Sequence, residues 1–296
     1  MKNNVFDTAL ICEGGGMRGG YTAGALNVLL DEHIYFNYVS GISAGSLNLV
    51  NYLARLPRRS HRNFVEIVDQ PEFGGMKSLI SGTGIFNMPW LYGDASEVGG
   101  FLELDYDATL AHNPACFRIG AFNTRLGTTV YFSEKSIDTK EKLIQACRAS
   151  SSMPIVTPPT LLEGDYYVDG GVGKSGGIPL DVAIDDGFTK FVIMLTRPRN
   201  YVKEQMRHQH VYRKLMHDFP LAADALLERP GHYNQTREQI ADLEASGAAF
   251  VMYADDMLVN NWERDQSKLT ENFERGAAQM RKRLPELREF LAISEV

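Results

Sequence analysis

Apolar positions along this chain fall into two rhythms. Short runs rich in β-branched and aromatic residues stand near residues 8–12, 36–40, 116–122, 128–132, 166–168, 190–196 and 248–253. Their length and their flanking turn residues predict strands. Longer stretches near 20–32, 44–55, 138–148 and 179–186 carry the spacing of helices, and several more follow residue 200. Residues 198–246 read as helices broken at Pro220 and Pro230-Gly231, because an interior proline removes a backbone donor. Residues 265–291 read as one long amphipathic helix, or as a pair divided around Gly276 and Pro285. Strands alternating with helices predict an α/β fold, arranged as a three-layer α/β/α sandwich.

Two stretches stand outside this alternation. Between residues 71 and 107, Gly74-Gly75, Gly82, Gly84, Gly93 and Gly99-Gly100 punctuate Phe86, Met88, Trp90, Leu91 and Tyr92. This segment reads either as a lid that offers an apolar surface to a substrate or as an ordinary packed insertion. The basic run Leu56-Pro57-Arg58-Arg59-Ser60-His61-Arg62 reads as a solvated loop.

Composition narrows the function classes. A chain of 296 residues with 44% hydrophobic content has enough apolar material for one globular body. A formal charge of −7 argues against a general electrostatic grip on nucleic acid or on an anionic membrane. The first ten residues do not form a signal peptide, and no stretch reaches the roughly 18 apolar residues of a membrane span. Cys12, Cys116 and Cys147 are widely spaced and odd in number, with no metal-like or redox pairing. The chain therefore reads as a cytoplasmic protein whose membrane contacts are peripheral and transient. Its oligomeric state is not legible.

The candidate chemistry begins at Gly41-Ile42-Ser43-Ala44-Gly45, between an apolar run and a helical stretch. Gly41, Ala44 and Gly45 are the small neighbours that a serine needs on a tight strand-to-helix turn, the form of a nucleophile elbow. The same residues also read as a glycine turn with Ser43 or Ser46 capping a helix. A second strand-loop-helix unit carries Gly14-Gly15-Gly16-Met17-Arg18-Gly19-Gly20. Consecutive amides in such a loop can converge on negative charge ahead of a helix N-terminus. The loop matches a dinucleotide fingerprint, yet Asp31 and Glu32 precede the second strand instead of closing it. A Walker loop fails because no Lys-Ser or Lys-Thr follows the glycines. The third piece is Tyr166-Tyr167-Val168-Asp169-Gly170-Gly171, a short strand that delivers a carboxylate into a glycine turn. Asp169 also reads as a plain turn residue.

In this order, the glycine loop, Gly-x-Ser-x-Gly and Asp-Gly-Gly resemble the patatin-like phospholipases, lipid acyl hydrolases with a Ser-Asp dyad. Arg148 to Pro154 with Pro158-Pro159, the hairpin around Arg125-Leu126-Gly127, and Glu13 ahead of the glycine loop extend the likeness to compact bacterial members. It covers about residues 8–182, which the resemblance makes the catalytic region; residues 183–296 then add strands and helices that complete the same globular unit. The resemblance implies a mainly parallel central sheet, Ser43 as nucleophile and Asp169 as its base. It implies that Gly14, Gly15, Gly16, Met17, Arg18 and Gly19 form the oxyanion and substrate loop, with the amides of Gly15, Gly16 and Met17 as donors, and Gly170 and Gly171 the turn after the aspartate. Arg18 would stand beside the oxyanion or the headgroup, or brace the loop against Glu13. The substrate would be a lipid or other acyl ester, with neither metal nor organic cofactor. A non-catalytic lipid- or protein-binding module, and an acyltransferase using the same dyad, are the competing readings. His112, His208, His210, His217 and His232 are triad candidates by residue type alone.

Overall fold

A computed structural model describes residues 2–293. Strand β1 (Ala9–Cys12) leads through the glycine loop into α1 (Gly19–Asp31), and β2 (Tyr38–Ile42) leads into α2 (Ala44–Leu53) and α3 (Pro57–Phe64). Two short helices follow, α4 (Met76–Ile80) and α5 (Met88–Leu91). The hairpin β3 (Cys116–Asn123) and β4 (Thr128–Phe132) precedes α6 (Lys140–Ser150). Next come the hairpin β5 (Thr160–Leu162) and β6 (Asp165–Asp169), then α7 (Leu180–Asp185). The remaining elements are β7 (Phe191–Met194), α8 (Gln209–Leu215), α9 (Pro220–Ala245), β8 (Ala249–Met252) and α10 (Gln266–Leu291).

All eight strands join one sheet in the order β5-β6-β3-β2-β1-β7-β8, with β4 also paired to β3. Strands β3, β2, β1, β7 and β8 are mutually parallel, and β4, β5 and β6 add antiparallel pairs. Strand β3 serves two neighbours along one edge. Its Gly120 pairs with Ile42 of β2 and Tyr131 of β4, whereas the next residue, Ala121, pairs with Asp169 of β6 and Val130 of β4. Because β4 takes one edge at both positions, β2 and β6 share the other, and their last residues meet end to end.

Both faces of the sheet are covered, which is why its central strands read as unbroken apolar runs. From β1, Leu10 and Cys12 pack with Leu29 of α1, Leu49 of α2 and Met280 of α10. Ala9 and Ile11 point the other way, against Leu180 and Ala183 of α7 and Tyr233 and Ile240 of α9. The result is the three-layer arrangement read from the pattern. No helix among the described residues is long and apolar enough to cross a membrane.

Two local readings are corrected. Helix α9 begins at Pro220 but runs through Pro230-Gly231 without a break. An interior proline forfeits one helical hydrogen bond, yet Ala223 and Leu227 before it and Tyr233 and Ile240 after it are all buried, so packing on both sides carries the helix through. Of the two readings of residues 265–291 the single helix is the one found, since α10 continues through Gly276 and Pro285. The basic run is not a loop: it forms α3, where Arg59 is buried and donates to the Leu102 carbonyl (2.9 Å) and to Asn51 Oδ1 (2.5 Å). Burial pushes that guanidinium down to about 10. Strand β5 was not read at all, its three residues being too few to show a period.

Candidate active site

The chain leaves β2 and enters α2 through a single residue, Ser43, whose backbone sits at φ 56° and ψ −125°. Positive φ at a residue with a side chain is sparsely populated and costs on the order of 1–3 kcal/mol. Neighbouring bonds hold it there. The Ser43 amide donates to Ser150 Oγ (2.8 Å), whose hydroxyl donates in turn to the Gly120 carbonyl (2.6 Å), and Ser46 Oγ donates to the Ser43 carbonyl (2.7 Å). Gly45 is required by close approach, since a Cβ there would strike the Cys12 carbonyl of β1. Although Ser43 stands at the N-cap position, its side chain makes no capping bond. The hydroxyl is turned away from its own helix.

It is turned toward Asp169. The Ser43 side chain stands beside the Asp169 carboxylate on the same cleft and favours its ionised form, and both residues are buried, at 6% and 7% exposure. The Asp169 amide donates to the Ser152 carbonyl (2.7 Å), and Asp169 Oδ1 accepts from the Gly171 amide (2.8 Å), so the carboxylate also closes the Gly170-Gly171 turn. Gly170 lies directly against the Gly120 carbonyl. Burial pushes the Asp169 carboxyl above the ordinary aspartate range; the Ser43 side chain, the Gly171 hydrogen bond and the Arg229 charge oppose that rise. Two residues 126 positions apart in sequence are thus brought together by adjacent positions of one strand, β3.

The glycine loop divides into parts. Gly14, Gly15 and Gly16 line the space beside Ser43. Among the described residues the amides of Gly15 and Gly16 carry no hydrogen bond, which leaves them open to an incoming oxygen. Met17 departs from the expectation, because its amide already donates to the Asn261 carbonyl (3.2 Å). Its residue instead borders an apolar cavity. Arg18 and Gly19 reach neither the serine nor the cavities. Arg18 is buried behind the loop, where desolvation and then the nearby Arg197 charge push its guanidinium down to about 10. Gly19 opens α1 and packs on Ala44 and Phe64. Glu13 is held by the Tyr233 hydroxyl (2.9 Å) and the Thr196 amide (2.5 Å), so no hydrogen bond ties it to Arg18.

Ser43 lies between two spaces. One, of ≈ 500 Å³, is apolar and is bounded by Leu47, Phe64, Phe73, Phe86, Met88, Leu91 and Met153 among others. Phe73, Phe86, Met88, Leu91 and Tyr92 of residues 71–107 are therefore both packed and wall-forming. The other, an open cleft of ≈ 880 Å³, is bounded by Asp169, Tyr212, Arg229, Asn261 and Trp262 as well as the loop glycines. No histidine borders either space. Arg229, Asn261 and Trp262 escaped sequence reading, since none sits in a motif, and Ser150 was read only as part of the Arg148–Pro154 segment, with no role of its own; of the elements that carry these residues, only the helix of Arg229 was visible.

Comparison with known proteins fits this geometry. The model of the family described as patatin-like phospholipase matches residues 10–184, and a domain of unknown function, DUF6363, matches residues 219–292. "Uncharacterized protein YjjU" of Escherichia coli (strain K12) is 30% identical over 192 residues, 64% of this chain and 52% of its own. "Probable lipid hydrolase 463L" of Invertebrate iridescent virus 6 is 26% identical over 196 residues, 62% of this chain and 65% of its own. The chain thus spans about half the length of the first and just under two thirds of the second. Among solved structures, VipD from Legionella pneumophila aligns over 95% of this chain and 67% of its own, at 11% identity and a TM-score of 0.48. The family match covers more than half of the chain and takes in the glycine loop, the serine elbow and the aspartate turn; the protein belongs to the patatin-like phospholipase family.

Proposed function

We propose that this protein is a serine-dependent acyl hydrolase that cleaves carboxylic esters of lipids. The observation that carries the reading is the buried Ser43–Asp169 pair, set where an apolar cavity meets the cleft that holds the carboxylate. Asp169 accepts the Ser43 proton as the hydroxyl oxygen attacks the ester carbonyl carbon. The tetrahedral oxyanion forms beside the unengaged amides of Gly15 and Gly16, each donor lowering the barrier by roughly 3 kcal/mol. Collapse expels the alcohol, which takes the proton from Asp169. The acyl chain then occupies the apolar cavity as an ester of Ser43 until Asp169 activates water to release the fatty acid.

An aspartate near its ordinary pKa of about 4 is a weak base for a hydroxyl. Burial of Asp169 works against that weakness by raising its affinity for a proton. The lipid hydrolase description of the viral relative agrees with an ester-cleaving site, and the apolar lining of the cavity agrees with an acyl group.

The test is covalent labelling with a fluorophosphonate combined with ester turnover. Wild type should label at Ser43, Ser43→Ala should not label, and Asp169→Asn should lose at least about 10³-fold in kcat/KM. Labelling elsewhere, or full turnover by Asp169→Asn, refutes the reading.

A further inference from the structure

The open cleft is bounded by nineteen residues, of which only Asp169 and Arg229 carry charge. The aspartate is engaged by Ser43 and Gly171. The arginine comes from α9, in the region matched by the domain of unknown function. Its Nε donates to the carbonyls of Gly171 (2.6 Å) and Gly176 (3.2 Å), which seats the guanidinium beside Gly171 and Gly177. Among the described residues Arg229 forms no ion pair, and its two terminal nitrogens make no hydrogen bond. A guanidinium fixed at Nε presents those nitrogens as a planar fork, the geometry that suits a phosphate or carboxylate.

The surroundings reinforce that charge. Arg18, Arg197 and Lys203 lie close enough to interact electrostatically with one another, and Arg229 interacts with Arg18 and Lys203. Glu13 is the carboxylate among them, and it is occupied by the Tyr233 hydroxyl and the Thr196 amide. Lys203, half-buried, has its amine pushed down to about 7 by desolvation first and then by Arg229 and Arg18. An excess of cations has been gathered behind the wall of a cleft in a chain whose overall charge is negative.

We propose that Arg229 is the residue that reads a phosphodiester on the leaving-group side of the scissile ester, so that the C-terminal region supplies the headgroup wall of the site. The inference rests on the ester-hydrolase reading and deepens it: the preferred substrate is a phospholipid or lysophospholipid, and neutral glycerides are poorer. Asn261 and Trp262, from the same region, complete that wall.

Binding separates this idea from the chemistry. Ether analogues, which contain no cleavable ester, bind without turnover: 1-O-alkyl-glycero-3-phosphocholine carries the phosphate, and the 1-O-alkylglycerol of equal chain length does not. Calorimetric titration below their micelle concentrations should show wild type favouring the phosphorylated analogue by at least tenfold. Arg229→Gln should abolish most of that preference while leaving the alkylglycerol affinity within about twofold, and Arg229→Lys, which keeps charge without the fork, should fall between. Equal affinity of wild type for the two analogues overturns the proposal even if Arg229→Gln proves unable to fold. Parallel loss of both ligands in a folded Arg229→Gln protein also overturns it, because Arg229 would then only brace the Asp169 turn. Phosphate-selective binding by a protein that fails fluorophosphonate labelling would sink the hydrolase reading and leave the anion subsite standing.

Discussion

A buried carboxylate and a strained serine are an expensive pair of residues to keep. Ser43 holds a positive φ that its side chain disfavours, and Asp169 holds a negative charge away from water. The electrostatic burden has a definite sign. Burial raises the folded-state pKa of Asp169 above its unfolded value. Its favourable contribution is therefore fully present below the unfolded pKa and is lost as pH rises through the folded one. At neutral pH the ionised group works against folding, and Asp169→Asn should raise Tm by about 2–4 °C, the shift that ~1 kcal/mol produces in a chain of this size. The gain should vanish near pH 3, where both proteins are neutral at this position, and calorimetry at the two pH values checks it. The acid limb of kcat/KM in wild type should likewise lie above the ordinary aspartate value. A Tm gain independent of pH would disconnect it from the carboxylate.

Among the elements, the crossing of α1 and α10 shows how the glycine loop is backed. A Cβ at Gly276 of α10 would run into the Tyr21 carbonyl, and one at Gly24 of α1 into the Phe273 carbonyl, so the two helices touch backbone to backbone. Because α1 begins where the loop ends, this contact sets the loop's rear support. Gly276→Ala should destabilise by about 1–3 kcal/mol through overpacking, read as a lower midpoint in urea with an unchanged slope. This crossing explains one limit of pattern reading. Gly276 and Pro285 left a division between helices open, but Gly276 is a contact point and the buried Met280 and Leu287 carry α10 past both. Pro230 misled outright, since α9 runs through it. Local signals did place Ser43, Asp169 and the loop glycines on tight turns, because such turns demand small residues at fixed spacing. Nothing local distinguishes Arg229 from any other arginine on a helix, nor Ser150 from any other buried serine. Their parts in the site arise only from what the fold brings near them.

At the scale of the whole molecule, the question is how a protein of net charge −7 would meet the lipid substrate proposed for it. A groove beside the Ser43 cleft is bounded by Leu79, Ile155, Leu215 and Phe219 and shares Pro154, Ile155 and Val156 with it. Exposed apolar groups surround this groove: Ile80 on α4 is 80% exposed and Leu215 on α8 is 58% exposed. Such groups favour insertion into a neutral interface, each contributing roughly 2 kcal/mol when buried, while the net charge disfavours an anionic one. The double variant Ile80→Asp, Leu215→Asp should lose at least about tenfold in hydrolysis of phosphatidylcholine vesicles and retain its rate on a short soluble ester. Equal rates on vesicles for variant and parent would remove this face from the account.

The end-to-end meeting of β2 and β6 on β3 carries one more implication. Hydroxyl and carboxylate are joined by no short covalent path, so their alignment is delegated to neighbouring rungs of a third strand. The connecting chain is then free to lengthen or shorten without disturbing the proposed reaction, while a slip of one rung would silence it in a body that still looks whole. Heritable variation in this scaffold should accordingly accumulate in its links and spare its ladder.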